Sequence, residues 1–355
     1  MTQRNRYDLT TEEYFECLSM ADINTFGLCN NARSEHPRSI FIVAQAGAGK
    51  TGLKSFVVNE AEREGTLPEY IEFNPDEIAK YHKYYREILR DYPDDSYPIL
   101  QKFVSPALDT YLRQRAVDLR FNLVQEGTFG STDIYVEILD FQKNGGIYSV
   151  SSVSGDGTID QRHVSGGFDI DINVLAVDRF ESYLSSLERE QYFRENGYPP
   201  RVVTLKNHDY AYNKMIDTLR IIEQRGLMDR GRVFRRGPVP IEPQLVYTTG
   251  DNTYPSLAQA VIEEREKNRQ EILSNPDAYY ERIEDLRARI KTSGIPAQLF
   301  RLFELKKIFD GEVKKYKGKQ RVSSVSSIVS KATKTAQATQ STNSPRLSMD
   351  SAQEL

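Results

Sequence analysis

Residues 41–51 read FIVAQAGAGKT. An apolar run ends at Ala44, gives way to small residues, and then presents Lys50 and Thr51. The run has the character of a buried strand. Small residues after it let successive backbone N–H groups turn inward around phosphate oxygens. A helix predicted from Gly49 onward, over GKTGLKSFVVNEAERE, aims its positive end at the same place. The segment AQAGAGKT fits G-x-x-x-x-G-K-[ST], with Ala44 at the first glycine position. Alanine is acceptable there if φ stays negative. Gly47, Ala48, Gly49, Lys50, Thr51 and Gly52 are therefore the expected nucleotide cradle. Lys50 is expected to reach the β- and γ-phosphates, and the Thr51 hydroxyl to ligate Mg2+. The bland alternative is a tight turn with a surface lysine, and the strand and helix on either side argue against it.

Strand and helix alternate outward from this loop, from Ser39 to about Leu273. Strands are expected in RSIFIVAQ, PEYIEFNPDEI (ending near Phe73), FNLVQEG, INVLAV and PQLVYTT. Helices are expected in SPALDTYLRQRAVDLRF, with Ser105 as cap and Pro106 at the first position, and in DIYVEILDFQKNGG, stopped by its glycines. Further helices follow in RFESYLSSLEREQYFREN, HDYAYNKMIDTLRIIEQRG and SLAQAVIEEREKNRQEIL. This alternation predicts an α/β fold: a mostly parallel sheet flanked by helices, as in P-loop kinases. Ligands in such sheets bind beyond the carboxyl ends of the strands.

Four segments surround or interrupt this kinase-like domain at 39–273. Residues 1–38 hold a short amphipathic helix capped by Thr10 or Thr11, with Glu12 and Glu13 in its first turn. A polar Gly- and Ser-rich insertion at about 149–169 suits turns or a β-hairpin. Residues 274–320 form an amphipathic helical extension. Residues 321–355, rich in Ser, Thr, Ala and Gln, are expected to be a disordered tail, because they cannot bury enough surface to offset ordering entropy.

Composition excludes more than it selects. The chain has 355 residues and a net charge of -4, with a pI near 5.8. Nucleic acid is not an expected partner at that balance. Cys17 and Cys29 make no disulfide framework and no metal motif, which suits a reducing cytosol. No apolar stretch approaches the roughly 20 residues of a membrane span, and the N-terminal residues have no signal-peptide character.

A kinase needs a base beside the acceptor hydroxyl, cations for the transferring phosphoryl group, and groups that hold the acceptor. Asp76, after the second strand in IEFNPDEI, is the base candidate; equally, Asn74-Pro75 is a helix start that Asp76 merely decorates. Glu126 ends the third strand in LVQEGT, where a carboxylate can serve magnesium or accept from a substrate hydroxyl, and Thr128 adds a polar contact. A plain strand-terminal turn is the alternative. Arg189 and Arg201 can supply the cations, although each, taken singly, reads first as a solvated surface arginine.

Taken in order, these pieces resemble the zeta-toxin family of P-loop kinases. The loop resembles that family's GQ-x-G-x-GKT, and NPDEIAKYHKYY the segment where an Asp is followed six residues on by His, here Asp76 and His82. NLVQEGT is similar to NL-x-IEGT, SYLSSLERE to SYL-x-x-x-ER, and PPRVVTLKNHD to an Arg-containing loop ending in His-Asp. The resemblance covers about Ser39 to Leu273. It implies phosphorylation of the 3'-hydroxyl of the amino sugar in UDP-N-acetylglucosamine, with ATP or GTP and Mg2+. It also implies a small helical antitoxin protein that blocks the nucleotide site. Asp76 would be the base, Lys50 and Thr51 the nucleotide and magnesium anchors, Arg189 and Arg201 the γ-phosphate clamp, and Glu126 and Thr128 the nucleotide-sugar contacts. His82 would support the loop. One departure stands out: the family's EGT-x-R arginine is Gly130 here. A different class of function, a nucleotide-dependent binding protein without small-molecule kinase activity, draws on that departure and on the long appendages.

Overall fold

The computed structural model describes residues 6–27, 33–67, 69–151, 159–237 and 242–341. In chain order the elements are α1 (Thr11–Phe26), β1 (Arg38–Val43), α2 (Lys50–Arg63), β2 (Ile71–Phe73), α3 (Pro75–Ala79), α4 (Tyr85–Asp91) and α5 (Ser96–Ser105). A π-helical turn (Pro106–Leu112), α6 (Arg113–Asp118), β3 (Leu123–Gly127), α7 (Thr132–Asn144), β4 (Gly145–Ser151) and β5 (Ile159–Ser165) follow. Then come β6 (Asp169–Ala176), α8 (Arg179–Glu195), α9 (Leu205–Gln224), β7 (Arg230–Arg235), β8 (Gln244–Thr248), α10 (Leu257–Ser274), α11 (Asp277–Ser293) and α12 (Pro296–Ser341).

One six-stranded sheet organises the chain, in the order β2-β3-β1-β6-β7-β8. Its strands run parallel except β8, which lies antiparallel to β7. The chain leaves β1 for the β2 edge, returns through β3, and crosses to β6 on the other side of β1. The carboxyl end of β1 is therefore the switch point, where a doubly wound sheet opens a crevice. Ile42 sits opposite Glu126 and Val43 opposite Gly127. That register sets the end of β3 beside the start of the Gly-rich loop. The expected α/β architecture is thus the observed one.

Burial explains the strand pattern. β1 and β6 are covered on both faces; β1 reads as an almost continuous apolar run, whereas β6 buries Asp171 and Asn173 among its apolar residues. One core lies between the sheet and α1, α5, α6, α7, α9 and α10. A smaller one lies under α2 on the opposite face. The N-terminal helix belongs to the first: Tyr14 meets Phe103 edge-on and Phe26 stacks on Phe121. Thr10 caps it with Glu13 in a reciprocal capping box.

The structure departs from the sequence reading at two places. Ser105 caps nothing: its backbone is helical, its hydroxyl bonds the Gln101 side chain, and α5 runs on through Pro106 into the π-helical turn and α6. A π-turn tolerates proline inside a helix because the wider ring relaxes the demand for its missing N–H. β7 has no counterpart among the expected strands. Its sequence, RGRVFR, hides it, since Arg232 is buried only by virtue of Asn173 and Glu60. In the expected tail from 321, the α12 backbone is described as far as Ser341. Residues 342–355 of that tail lie outside the described residues. The insertion forms the antiparallel β4–β5 hairpin, its turn at 152–158 likewise outside.

A third core joins α8 to α11 and α12, through Phe180, Tyr183, Leu184, Leu187, Leu286, Leu302, Leu305 and Phe309. Phe309 sits at its centre, 4.2 Å from the Tyr279 ring and 5.2 Å from Phe180. Phe309→Ala is expected to cost about 3–5 kcal/mol. Chemical denaturation should show a lower midpoint in one transition; two separate transitions would mean that the extension folds independently of α8.

Candidate active site

The Gly-rich loop lies between β1 and α2 as expected. Gly47 and Gly49 adopt φ of +76° and +101°, the left-handed region that glycine enters without strain. Ala44 is not in that region, which is why alanine serves where the pattern has its first glycine. α2 starts with Gly49 as N-cap and no capping side chain. Its first amides and its positive end therefore face the loop. Lys50 Nζ donates to Ala44 O (2.8 Å) and Gln45 O (3.4 Å). Thr51 is exposed in the first helical turn.

Around this loop gather groups that are far apart in sequence. Arg201 Nη1 donates to Asp76 Oδ2 at 2.8 Å, across 125 positions. The Lys50 ammonium is pushed down to about 8, first by burial, then by Arg201 and Arg189, with Glu126 and Asp76 opposing. Burial and Arg201 also lower the Arg189 guanidinium, and Asp76 again opposes. Arg189 Nε is buried without a hydrogen-bond partner. Lys50, Arg189, Arg201, Asp76 and Glu126 thus share one electrostatic neighbourhood at the carboxyl edge of the sheet. The helix start expected in IEFNPDEI is present. Asn74 caps α3 through the Asp76 amide, while the Asp76 carboxylate reaches Arg201. Arg201 also lies over the Tyr97 ring, at 4.8 Å.

Glu126 meets Lys54, one turn beyond Lys50, at 3.1 Å; Lys54 also holds Glu72 at 2.6 Å. Thr128 accepts from the Gly130 amide. His82 is buried against Phe103, and its Nδ1 accepts from the Tyr84 amide. Burial keeps it neutral by lowering its pKa. Among the described residues no cluster of three or more His, Cys, Asp or Glu side chains is placed to hold a metal, and no helix is long and apolar enough to cross a membrane.

A family model described as zeta toxin matches residues 24–154, from α1 through the β4–β5 turn. Toxin PezT of Streptococcus pneumoniae is 24% identical over 221 residues, 62% of this chain and 75% of that protein. Toxin zeta of Enterococcus hirae is 24% identical over 239 residues, 66% of this chain and 71% of its own. A solved structure from the PezAT chromosomal toxin-antitoxin system of Streptococcus pneumoniae superposes with a TM-score of 0.57 at 20% identity, covering 80% of this chain and all of that one. Residues 24–154 thus carry a zeta-toxin match, and the chain is similar to zeta toxins in sequence and fold beyond that stretch. Zeta toxins are P-loop kinase-like phosphotransferases.

Gly130, where the zeta-toxin pattern has arginine, is buried. A β-carbon there would stand 3.2 Å from Thr128 Oγ1 and 3.4 Å from Ala211 Cβ. Two cations that the sequence reading passes over bond neighbouring side chains of β3, one from each face of the sheet. One is Lys54; the other is Arg113, buried, with Nε on Gln125 Oε1 and an ion pair to Asp109. Nothing in the local pattern marks either, because both sit among ordinary helical charges. The support beneath the loop draws on Gln45 and His208-Asp209, which fall within the quoted motifs, and on Arg265, which does not. Gln45 donates to Val177 O (2.9 Å) and Ser182 Oγ (3.1 Å), and accepts from Arg265 of α10. Ser182 also meets His208 Nε2, and Arg179 forks onto Asp209 with two bonds of 2.6 Å. The His-Asp that follows the Arg201 loop is therefore a brace for α8.

Asp178 caps α8 through the Phe180 amide and is buried. Burial raises its carboxyl to about 6, despite the backbone amides and Arg269 that favour the charge. The folded chain thus holds this proton more tightly than the unfolded chain, whose carboxyl titrates near 3.8. Stability from this group falls as pH rises from about 4 to about 6, and the charge is a cost at neutral pH. Asp178→Asn keeps the cap and removes the charge. It should stabilise the zeta-toxin fold by about 1–3 kcal/mol at pH 7.5, and thermal melts should show the gain vanishing below pH 4.

Proposed function

We propose that this chain transfers the γ-phosphoryl group of ATP or GTP to a sugar hydroxyl of a nucleotide sugar such as UDP-N-acetylglucosamine. The observation that supports this most is the Asp76–Arg201 contact at the mouth of the loop that holds Lys50, with Arg189 in the same field. A phosphate-binding loop alone serves any nucleotide protein. A carboxylate and two guanidinium groups at its mouth suit phosphoryl transfer in particular.

In this reading the loop amides and Lys50 hold the β- and γ-phosphates. Arg189 and Arg201 lie against the equatorial oxygens, where negative charge spreads in the transition state. Arg189 enters with an unpartnered Nε and with its charge already disfavoured by burial, so an incoming anion relieves it. The acceptor oxygen bonds to the γ-phosphorus as the bond to the bridging oxygen breaks. Its proton passes to Asp76, and the nucleoside diphosphate leaves. Thr51 would hold Mg2+, which supplies charge neutralisation when bound; a single protein hydroxyl suits an ion that arrives on the nucleotide phosphates. The acceptor would lie over Glu126 and Thr128. It would extend into a groove of about 430 Å³ between the π-helical turn and α7, whose lining includes Asp109, Arg113 and Ile134. A small helical antitoxin is the expected protein partner, since one similar structure comes from a toxin-antitoxin system.

Label transfer from γ-labelled ATP to UDP-N-acetylglucosamine tests the reading. Asp76→Ala, Arg189→Ala and Arg201→Ala should each lower turnover by about 10²–10⁴, and Lys50→Ala should abolish it. Nucleotide hydrolysis that labels no acceptor across a panel of metabolites would leave a nucleotide-dependent binding protein instead. Titration offers an independent check. Nucleotide affinity should weaken as pH rises through about 8, where Lys50 loses its proton, and Lys50→Met should remove that step from the binding isotherms.

A further inference from the structure

α8 is gripped from two sides. Toward the sheet, Ser182 and Ser186 face Gly47, and Arg189 follows on that face at helical spacing. Toward the C-terminal helices, α8 offers Leu184, Leu187 and a series of charges. Arg282 of α11 forks onto Glu188 (2.9 and 2.8 Å) and reaches Glu181 at 2.7 Å. Gln191 donates to Ser293 Oγ at 2.8 Å, and Arg289 forks onto Glu195 (3.0 and 2.6 Å). Glu190, the neighbour of Arg189, is 1% exposed. Arg301 of α12 places Nη2 between its two oxygens, at 2.6 and 2.7 Å, and Arg194 donates to it from within α8. Arg194 then pairs with Asp94, which precedes α5, and the first turn of α5 presents Tyr97 beneath Arg201.

We propose that Arg301 is a positioning residue for phosphoryl transfer: by holding Glu190 it fixes the turn of α8 that carries Arg189, and the Arg301–Glu190–Arg194–Asp94 chain ties that turn to the wall bearing Tyr97 and Arg201. This rests on the reading of Arg189 as a γ-phosphate clamp. The physical reason is the cost of a buried carboxylate. Without Arg301, Glu190 keeps only Arg194, and a buried charge short of partners draws its helix turn toward water or toward other cations. The guanidinium one residue away moves with the turn. A displacement of about 1 Å at a group that meets the reacting phosphate costs up to about 100-fold in rate. The C-terminal helices are then part of the catalytic apparatus, although none of their side chains touches substrate.

The test uses the full chain. Wild type, Arg301→Ala, Arg301→Lys, Glu190→Gln, Arg189→Ala and the double variant Arg189→Ala/Arg301→Ala are compared for turnover with ATP and UDP-N-acetylglucosamine, and for ATP and ADP affinity by calorimetry. Arg301→Ala should lower turnover about 10- to 100-fold and erode the preference for ATP over ADP. ADP, which lacks the γ-phosphate, should bind as before. Arg301→Lys, whose ammonium can sit between the same two oxygens, should recover most of the loss. The double variant should be no worse than Arg189→Ala alone. Unchanged turnover and ATP preference in Arg301→Ala, or losses that multiply in the double variant, overturn the proposal. If Arg301→Ala fails to fold, Glu190→Gln decides it: lower turnover with an eroded ATP preference supports the proposal, and unchanged values overturn it. Unchanged turnover and ATP preference in Arg189→Ala would instead overturn the clamp reading beneath it.

Discussion

Gly47 has no room for a β-carbon. One placed there would stand 1.9 Å from Ser182 O and 2.7 Å from Ser186 N, both backbone atoms of α8. The phosphate loop and α8 are therefore in direct main-chain contact, and the rest of the site follows from that contact. It brings the helix that carries Arg189 against the loop that carries Lys50. It also makes α8 the element that links the C-terminal helices to the loop. The left-handed φ of Gly47 satisfies the same demand a second way, because the backbone turns inward at the point of closest approach.

A helix in that position has to be held without being free to slide, and the molecule holds it with polar groups. On the sheet side Gln45, Ser182, His208 and Arg265 join the loop to α8, α9 and α10 through hydrogen bonds. On the outer side the hold is ionic, through Arg282, Arg289 and Arg301. Apolar packing resists separation but is indifferent to small rotations, whereas a forked guanidinium–carboxylate pair fixes direction as well as distance. Charges at the flanks of a catalytic helix suit the task better than additional leucines would.

The acceptor side is built on another principle. Glu126 and Glu72 share Lys54, and Asp109 is held by Arg113, so the carboxylates there are already partnered within the protein. Gly130 removes a side chain from this wall and lets α9 approach through Ala211. The cations that hold these carboxylates come from α2 and α6.

Much of this could be read from the chain itself. FIVAQAGAGKT specifies a strand, a phosphate loop and a helix start from local chemistry alone, because phosphate binding by main-chain amides needs only small residues in a fixed order. Asp76, Arg189 and Arg201 could be nominated but not assembled. Each looks like a surface charge in its own window, and 125 residues separate Asp76 from the Arg201 that meets it. Lys54, Arg113 and Arg301 gave no local sign at all, since their meaning depends on which groups they face after folding. β7 was hidden for the same reason: a strand whose Arg232 is buried reads as polar until Asn173 and Glu60 are placed around it. The sequence by itself determined the elements and the nucleotide loop, whose physics is local; the tertiary structure alone decided which distant charges meet, because charge pairing depends on distance in space and not along the chain.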